Sequence, residues 1–233
     1  MKRILFSLAV LASASALQAQ VSVGPHNLST TGPLGKTNTT QTCVFCHTPH
    51  NAIGSVSPEV AGQPIAAQLI PLWNHTTTAT AFTMYNTTNN PASDLQGTVD
   101  ASVTGASLAC LSCHDGSLAV GAIANLPDDV ASITYTAGGG LSATGFITGA
   151  NKLGADLTND HPISITYQDN LDLGLKAPAT FTSVKLFPTN ATGSKVQCAS
   201  CHDVHNWGTA GTTQPFLRGT MVGSALCVQC HSK

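Results

Sequence analysis

All eight cysteines of this 233-residue chain stand in four C-x-x-C pairs, and a histidine directly follows each pair. C-x-x-C-H is the attachment sequence of c-type haem. Its spacing sets two thiols about one helical turn apart, within reach of the two vinyl groups of one porphyrin, and turns the histidine towards the iron. The sequence therefore predicts four covalently attached haems c, each with an iron. The predicted attachment residues are Cys43, Cys46, Cys110, Cys113, Cys198, Cys201, Cys227 and Cys230, and the predicted proximal ligands are His47, His114, His202 and His231.

Three other uses of paired cysteines explain the pattern less well. Zinc sites use C-x-x-C pairs as thiolate ligands, but zinc gives no reason for a histidine after every pair. A thioredoxin-like redox pair occurs once, beside a βαβ pattern that this sequence does not show. A disulfide framework, the usual role of cysteines in exported proteins, requires no histidine. Because no cysteine is left over and histidine makes up only 9 of 233 residues, haem attachment is the preferred interpretation.

The N-terminus has the pattern of a secretory signal peptide over residues 1–19. A positively charged start precedes an apolar run over residues 4–17, and small residues offer cleavage after Ala16 or Ala19. The run is shorter than the about 20 apolar residues that a membrane anchor needs. We therefore expect export to the cell surface or exterior, with the periplasm as the alternative, and no membrane span.

The composition argues against an ordinary apolar core. Only 9% of the residues are charged and 5% are aromatic, whereas about 25% are charged in a typical domain. The net charge of −2 also lacks the basic character of a nucleic-acid binder. We expect one haem-centred domain over residues 20–233, mostly coil, with short helices at the attachment sites and a few short strands. Local periodicity predicts a helix from Ser107 to Asn125 and strands over residues 132–136, 163–167 and 181–187.

Five histidines lie outside the motifs, one more than the second axial positions of four haems require. His50 follows the first motif histidine by three residues, and His205 follows the third motif histidine in the same way. Residues three apart lie on nearly the same face of a helix, so each is better placed for a neighbouring haem than for its own. We therefore expect His50 to bind the haem of His114, and His205 to bind the haem of His231. The chain then contains two haem-pair units, residues 43–114 and 198–231.

The other three histidines complete the candidate set. His75 and His161 each follow a residue, Asn or Asp, that can orient an imidazole through a hydrogen bond. We expect these two to be distal ligands of the first and third haems, without deciding which serves which. His26 precedes every motif, and it is either a spare surface histidine or a ligand donated to a neighbouring molecule. Met84 and Met221, the methionines that remain after signal cleavage, have no neighbours that suggest ligation.

Several segments resemble the multihaem cytochromes with doubled C-x-x-C-H units found on the outer surface of metal-reducing bacteria. The resemblance is to the tetrahaem, filament-forming type known as outer-membrane cytochrome E. It extends over residues 26–231 and rests on residues 43–51, 71–75, 159–163 and 198–205. The resemblance implies haems with two histidine ligands, stacked in a continuous chain, and export to the cell exterior. It also implies end-to-end polymerisation in which one subunit completes a haem of the next.

Three functions agree with these features. The first is a subunit of an extracellular electron-conducting filament, a homo-polymer that exchanges electrons with redox proteins or extracellular acceptors. The second is a soluble periplasmic electron carrier, and the third is a multihaem reductase. A reductase needs an iron with an exchangeable position, whereas this chain has four intact motifs and a surplus histidine, so we expect no enzyme. Two histidine ligands also predict low reduction potentials, because axial methionine is the ligand that raises them.

Overall fold

The computed structural model describes residues 21–53, 70–187, 194–207 and 216–232, so the predicted signal peptide lies outside the described residues. These residues are mostly coil with short helices and short strands, which confirms the predicted fold class. Helix α1 spans Gly105–His114 and helix α2 spans Cys198–Cys201. Strand β1 spans Ile165–Thr166 and strand β2 spans Lys195–Val196. The regular structure also includes the 3₁₀ helices Gly149–Asn151, Pro178–Thr180, Val222–Ser224 and Cys227–Gln229.

Helix α1 carries the second C-x-x-C-H motif and is shorter than predicted. It ends at His114, so the predicted extension to Asn125 is wrong. The cause is Gly116, which takes the left-handed conformation with φ +74° and thereby turns the chain out of the helix. A Cβ atom at this glycine would lie 2.7 Å from the Lys152 side chain. Within the described ranges, no helix has the length and apolar character that crossing a membrane requires.

Strands β1 and β2 form a two-stranded antiparallel sheet in which Ile165 pairs with Val196. Strand β1 lies inside the predicted strand over residues 163–167. The predicted strands over residues 132–136 and 181–187 are wrong, because each makes only a single bridge, at Tyr135 and at Phe187. In the first case the Asn38 side chain bonds the backbone of residues 132 and 134, which takes up groups that a strand ladder would need.

The apolar core of the described chain is built around helix α1. Val103 and Leu111 have no exposed surface, and they pack with Trp73, Met84 and Leu157. These five residues come from four separate segments, so the core holds the second motif in place from several directions. Met84 is therefore a core residue.

Buried polar side chains hold the coil segments together. Asn74 has no exposed surface, and its Nδ2 donates to the Val44 carbonyl oxygen at 2.7 Å and to the Asn125 carbonyl oxygen at 3.0 Å. Its Oδ1 accepts from the backbone N–H of Asn125 at 2.9 Å. One amide thus joins the first motif to a loop more than 70 residues away along the chain. Such satisfied polar networks replace the regular ladders that this sequence does not form.

Replacing Leu111 with alanine is expected to destabilise the holoprotein by about 2–5 kcal/mol, because it removes a fully buried side chain and leaves a cavity. The control is Leu173→Ala, since Leu173 is 93% exposed. Thermal or urea unfolding of both variants, at equal haem content, measures the difference. Equal stability of the two variants would mean that helix α1 is not the centre of the core.

Candidate haem-binding site

Each C-x-x-C-H motif folds into one helical turn. In the first, third and fourth motifs, the histidine N–H donates to the carbonyl oxygen of the first cysteine, at 2.8 Å for His47, 3.0 Å for His202 and 3.0 Å for His231. The second motif makes the same turn inside helix α1. One such turn places both thiols and the imidazole on one side of the backbone, as attachment of one porphyrin requires. No disulfide joins any of the eight cysteines, all of which lie within the described ranges.

The four motifs follow one another in space in the order of the sequence. Burial raises the pKa of the Cys113 thiol, and the neighbouring Cys46 thiol raises it further. A hydrogen bond with the Cys198 thiol, assisted by burial, raises the pKa of Cys110. These two interactions join the first motif to the second and the second to the third.

Two further interactions support the same order of the motifs. Between the second and third motifs, the N–H of Cys198 donates to the Ser107 hydroxyl at 2.9 Å, which fixes helix α2 against helix α1. Between the third and fourth motifs, burial and then the Cys201 thiol raise the pKa of Cys230 to about 11. The motifs therefore form an uninterrupted series, and no attachment turn lies apart from the others.

Three pairs of imidazoles face each other at the same distance. The ring centroids are 6.2 Å apart for His26 and His114, with 69° between the ring planes. They are also 6.2 Å apart for His47 and His205, with an angle of 18°, and for His161 and His231, with an angle of 71°. Each pair joins one motif histidine to one histidine from outside the motifs. The structure thus brings together six of the nine histidines, all of which lie in the described ranges.

Backbone carbonyls orient two of the motif histidines. Nδ1 of His47 lies 2.7 Å from the Pro71 carbonyl oxygen, and Nδ1 of His114 lies 2.8 Å from the Asn151 carbonyl oxygen. A carbonyl oxygen only accepts, so Nδ1 carries the proton in both rings and Nε2 keeps its lone pair. This tautomer is the one that a metal-binding imidazole needs.

His26 belongs to this cluster rather than to an isolated stretch of surface. It is half-buried, and its ring stacks on Phe216 with a centroid distance of 4.4 Å. Burial, followed by the neighbouring histidines His114, His202 and His205, lowers the pKa of His26 to about 4. The ring is therefore neutral near pH 7, as ligation requires. Sequence analysis left His26 open because nothing adjacent to it in the chain indicates its long-range partner.

The rings of His205 and His50 do not lie opposite the motif histidines that the three-residue spacing suggested, and their ligation of particular haems stays a prediction. The His205 ring faces His47 and not His231, and His50 is exposed, with no facing imidazole among the described residues. The expectation assumed that a helix continues beyond the motif. Instead the backbone leaves the helix at His202, where φ is −106° and ψ is 143°. Residues three apart therefore do not share a helical face at this point.

His75 and His161, the other two predicted distal ligands, have different surroundings. His161 faces His231 of the fourth motif. His75 has no exposed surface, and its Nδ1 and Nε2 lie 2.7 Å and 3.0 Å from the carbonyl oxygens of Thr76 and Ala119. Its ligation of the first or third haem stays a prediction, and in this structure backbone carbonyls occupy both ring nitrogens.

Two aspartates that sequence analysis missed fasten the attachment turns to neighbouring segments. Asp115, directly after the second motif, accepts hydrogen bonds from the hydroxyls of Thr78, Thr80 and Ser117. Asp203, directly after the third motif, lies 3.0 Å from Nη1 of Arg218. The available signal was the sequence C-x-x-C-H-D, which occurs at these two motifs alone.

Replacing Asp115 with asparagine is expected to destabilise the protein at neutral pH by about 1–3 kcal/mol, because a buried acceptor of several hydrogen bonds is lost. Burial raises the pKa of Asp115, but the bonds from Thr78, Ser117 and Thr80 outweigh this and lower it below its usual range. The stabilisation is thus present above the unfolded pKa of about 3.9 and is lost as the pH falls through the folded pKa. Melting curves of both proteins should converge as the pH drops below about 4; a difference that is independent of pH would contradict this role.

A haem iron needs few protein ligands, because the porphyrin supplies four of its six. Among the described residues, no group of three or more His, Cys, Asp and Glu side chains is arranged to hold a metal ion by itself. Two opposed imidazoles beside an attachment turn are the donor set that a haem c iron takes in a bis-histidine site. The free thiols and the three paired rings fit this group.

Comparison with known proteins also supports haem attachment. Residues 190–233, which contain the third and fourth motifs, match the family described as Doubled CXXCH motif. No curated protein matches the chain. The doubled motif, together with the attachment turns and free thiols, indicates a multihaem c-type cytochrome that binds haem c covalently and transfers electrons.

Proposed function

We propose that this protein conducts electrons through four bis-histidine haems c and is a subunit of an extracellular filament. The observation that carries the proposal is the series of four neighbouring attachment turns. The N–H of Cys198 donates to the Ser107 hydroxyl of helix α1, and the thiols of Cys46 and Cys201 lie near enough to raise the pKa values of Cys113 and Cys230. Electron transfer between haems weakens steeply with the distance between their edges. Attachment turns that lie near one another in sequence order support a single continuous path rather than isolated redox sites.

The predicted ligand set suits electron transfer. When two histidines hold the iron in both oxidation states, reduction moves few atoms. When bound, the haem supplies the one-electron chemistry, and the chain fixes its axial ligands and limits solvent access. Low reduction potentials are expected, since no methionine is proposed as a ligand.

The assembly proposal rests on two histidines without partners in the cluster. His202 is a motif histidine whose ring faces no other imidazole in the described chain, and His50 is an exposed histidine outside the motifs with the same property. A subunit that offers His50 to the His202 haem of its neighbour would complete the fourth site. This arrangement agrees with the end-to-end polymerisation that the resemblance to filament-forming cytochromes implies.

The proposed location follows from the predicted signal peptide over residues 1–19. Export delivers the chain to a compartment in which thiols would otherwise oxidise, and covalent haem attachment gives all eight of them another use. We propose the cell exterior as the final location. A soluble periplasmic carrier remains the competing proposal, and it differs in needing no partner subunit.

Low-temperature EPR of the oxidised mature holoprotein, dilute and then concentrated, tests the proposal together with electron microscopy and a haem count. Four haems per chain, one of them high-spin in dilute protein and low-spin in filaments, is the expected result. Four low-spin haems at every concentration, with no filaments, would replace the filament with a soluble carrier. A high-spin haem that persists in the filaments and binds small ligands would indicate a reductase.

A further inference from the structure

We propose that three irons are held by specific imidazole pairs, namely His26 with His114, His47 with His205, and His161 with His231. The proposal rests on the haem function proposed above and deepens it by assigning the ligands. It differs from the pairing that the spacing of the sequence suggested, and it makes His26 an axial ligand within its own chain.

The distance between the rings carries the proposal. A metal–imidazole nitrogen bond is about 2.0–2.1 Å long and the ring centroid lies about 1.1 Å behind that nitrogen, so two imidazoles on opposite sides of one metal have centroids roughly 6.2–6.4 Å apart. All three pairs are at 6.2 Å. Trp73 and His75, which cannot share a metal, are also 6.2 Å apart. The spacing therefore fits one metal between two rings, and it identifies the three pairs only together with their composition of one motif histidine and one other histidine.

The membership of the pairs supports the same conclusion. Each pair has one histidine from a C-x-x-C-H motif and one from outside, which is the composition of a bis-histidine haem c site. No pair joins two motif histidines, although four of them lie in the described ranges. In the pairs that contain His47 and His114, Nδ1 of the motif histidine lies beside a backbone carbonyl oxygen. In the third pair, Nδ1 of His161 lies 3.1 Å from the Pro162 carbonyl oxygen.

His75 shows what a histidine outside this arrangement looks like. Its Nε2 lies 3.0 Å from the Ala119 carbonyl oxygen, so a backbone acceptor stands where a metal would have to bind. Its Nδ1 also lies beside a carbonyl oxygen, that of Thr76. The ring faces no motif imidazole, although its Nε2 also lies 3.5 Å from the Cys113 thiol of the second motif. In this structure it joins the segment after the first motif to the loop that contains Ala119.

The angles between the ring planes give each pair a spectroscopic signature. Two parallel imidazoles act on one iron d orbital and separate its energy from the others, which gives a rhombic low-spin EPR signal. Two perpendicular imidazoles act on different d orbitals and leave them nearly equal in energy, which gives a strongly anisotropic low-spin signal. The 18° angle of His47 and His205 predicts the first type, and the angles of 69° and 71° in the other two pairs predict the second type.

The experiment uses the mature holoprotein at low concentration and three variants, His205→Met, His50→Met and His26→Met. His205 and His50 form a matched pair, because each follows a motif histidine by three residues, but only His205 faces a motif imidazole. We expect His205→Met to abolish the rhombic signal and to raise one reduction potential, since methionine replaces an axial histidine. In His50→Met, all three low-spin signals of the dilute protein should persist.

His26→Met should remove one strongly anisotropic signal, leave the rhombic signal in place and raise one potential. Haem content distinguishes the possible failures, because thioether bonds keep each haem attached when an axial ligand is lost. Four haems per chain, with the rhombic signal lost in His50→Met and retained in His205→Met, would overturn the pairing and leave the proposed function intact. A protein that attaches no haem would overturn both.

Discussion

Replacing Cys198 and Cys201 together with alanine is expected to reduce the haem content from four per chain to three and to stop electron flow between the second and fourth haems. The third motif is held against the second by the hydrogen bond from the Cys198 N–H to the Ser107 hydroxyl, and its Cys201 thiol lies near enough to the fourth motif to raise the pKa of Cys230. Its haem is therefore the link between two parts of the proposed path. Without it, an electron would have to cross the width of the missing porphyrin in one step.

The matched control replaces Cys43 and Cys46, because it also removes one haem but from the end of the series. We expect both double variants to bind three haems, which the pyridine haemochrome assay counts. Stopped-flow reduction should then separate them. In the control, all three remaining haems should be reduced in one connected sequence, whereas in Cys198→Ala/Cys201→Ala the fourth haem should become kinetically isolated from the first two.

Equal reduction kinetics in the two variants would mean that electrons enter each haem independently, which would contradict a single path in sequence order. A loss of more than one haem from Cys198→Ala/Cys201→Ala would point to a folding defect at helix α2. In that case the single variant Cys198→Ala is the better choice. It keeps the thioether bond to Cys201, so the haem stays attached while one of its two links to helix α2 is removed.

The attachment turns could be predicted from the sequence because their geometry is local. C-x-x-C-H needs only one helical turn, and the structure makes that turn at every motif, from His47 to His231. Coil as the dominant conformation was also predictable, because a chain with 9% charged and 5% aromatic residues has few side chains with which to build amphipathic helices.

The histidine partners could not be predicted because they depend on long-range packing. The ring of His47 faces that of His205, which lies more than 150 residues later in the chain. No sequence periodicity relates residues at that separation. The three-residue spacing did not predict which ring His205 faces, because it assumed a helix that continues beyond Cys201, whereas the backbone leaves the helix at His202. The helix boundary was wrong for a different reason, because the periodicity that predicts a helix does not show the left-handed backbone conformation of Gly116.

Replacing His50 with glycine is expected to abolish filaments and to leave one of four haems high-spin at every protein concentration. His50 is exposed, and the Thr48 hydroxyl bonds only its backbone carbonyl, which glycine retains. The fold should therefore survive the change, with an unfolding temperature close to that of the parent protein. What is lost is the imidazole proposed to reach the His202 haem of the next subunit.

Free imidazole separates ligation from assembly in this variant. Imidazole small enough to bind the open iron should return the fourth haem to the low-spin state, but it has no covalent link to a neighbour and should not restore filaments. Recovery of filaments on adding imidazole would mean that ligation only tunes an interface built by other residues. Unchanged filaments in His50→Gly would contradict the proposed donation of the His50 imidazole to the His202 haem of the next subunit.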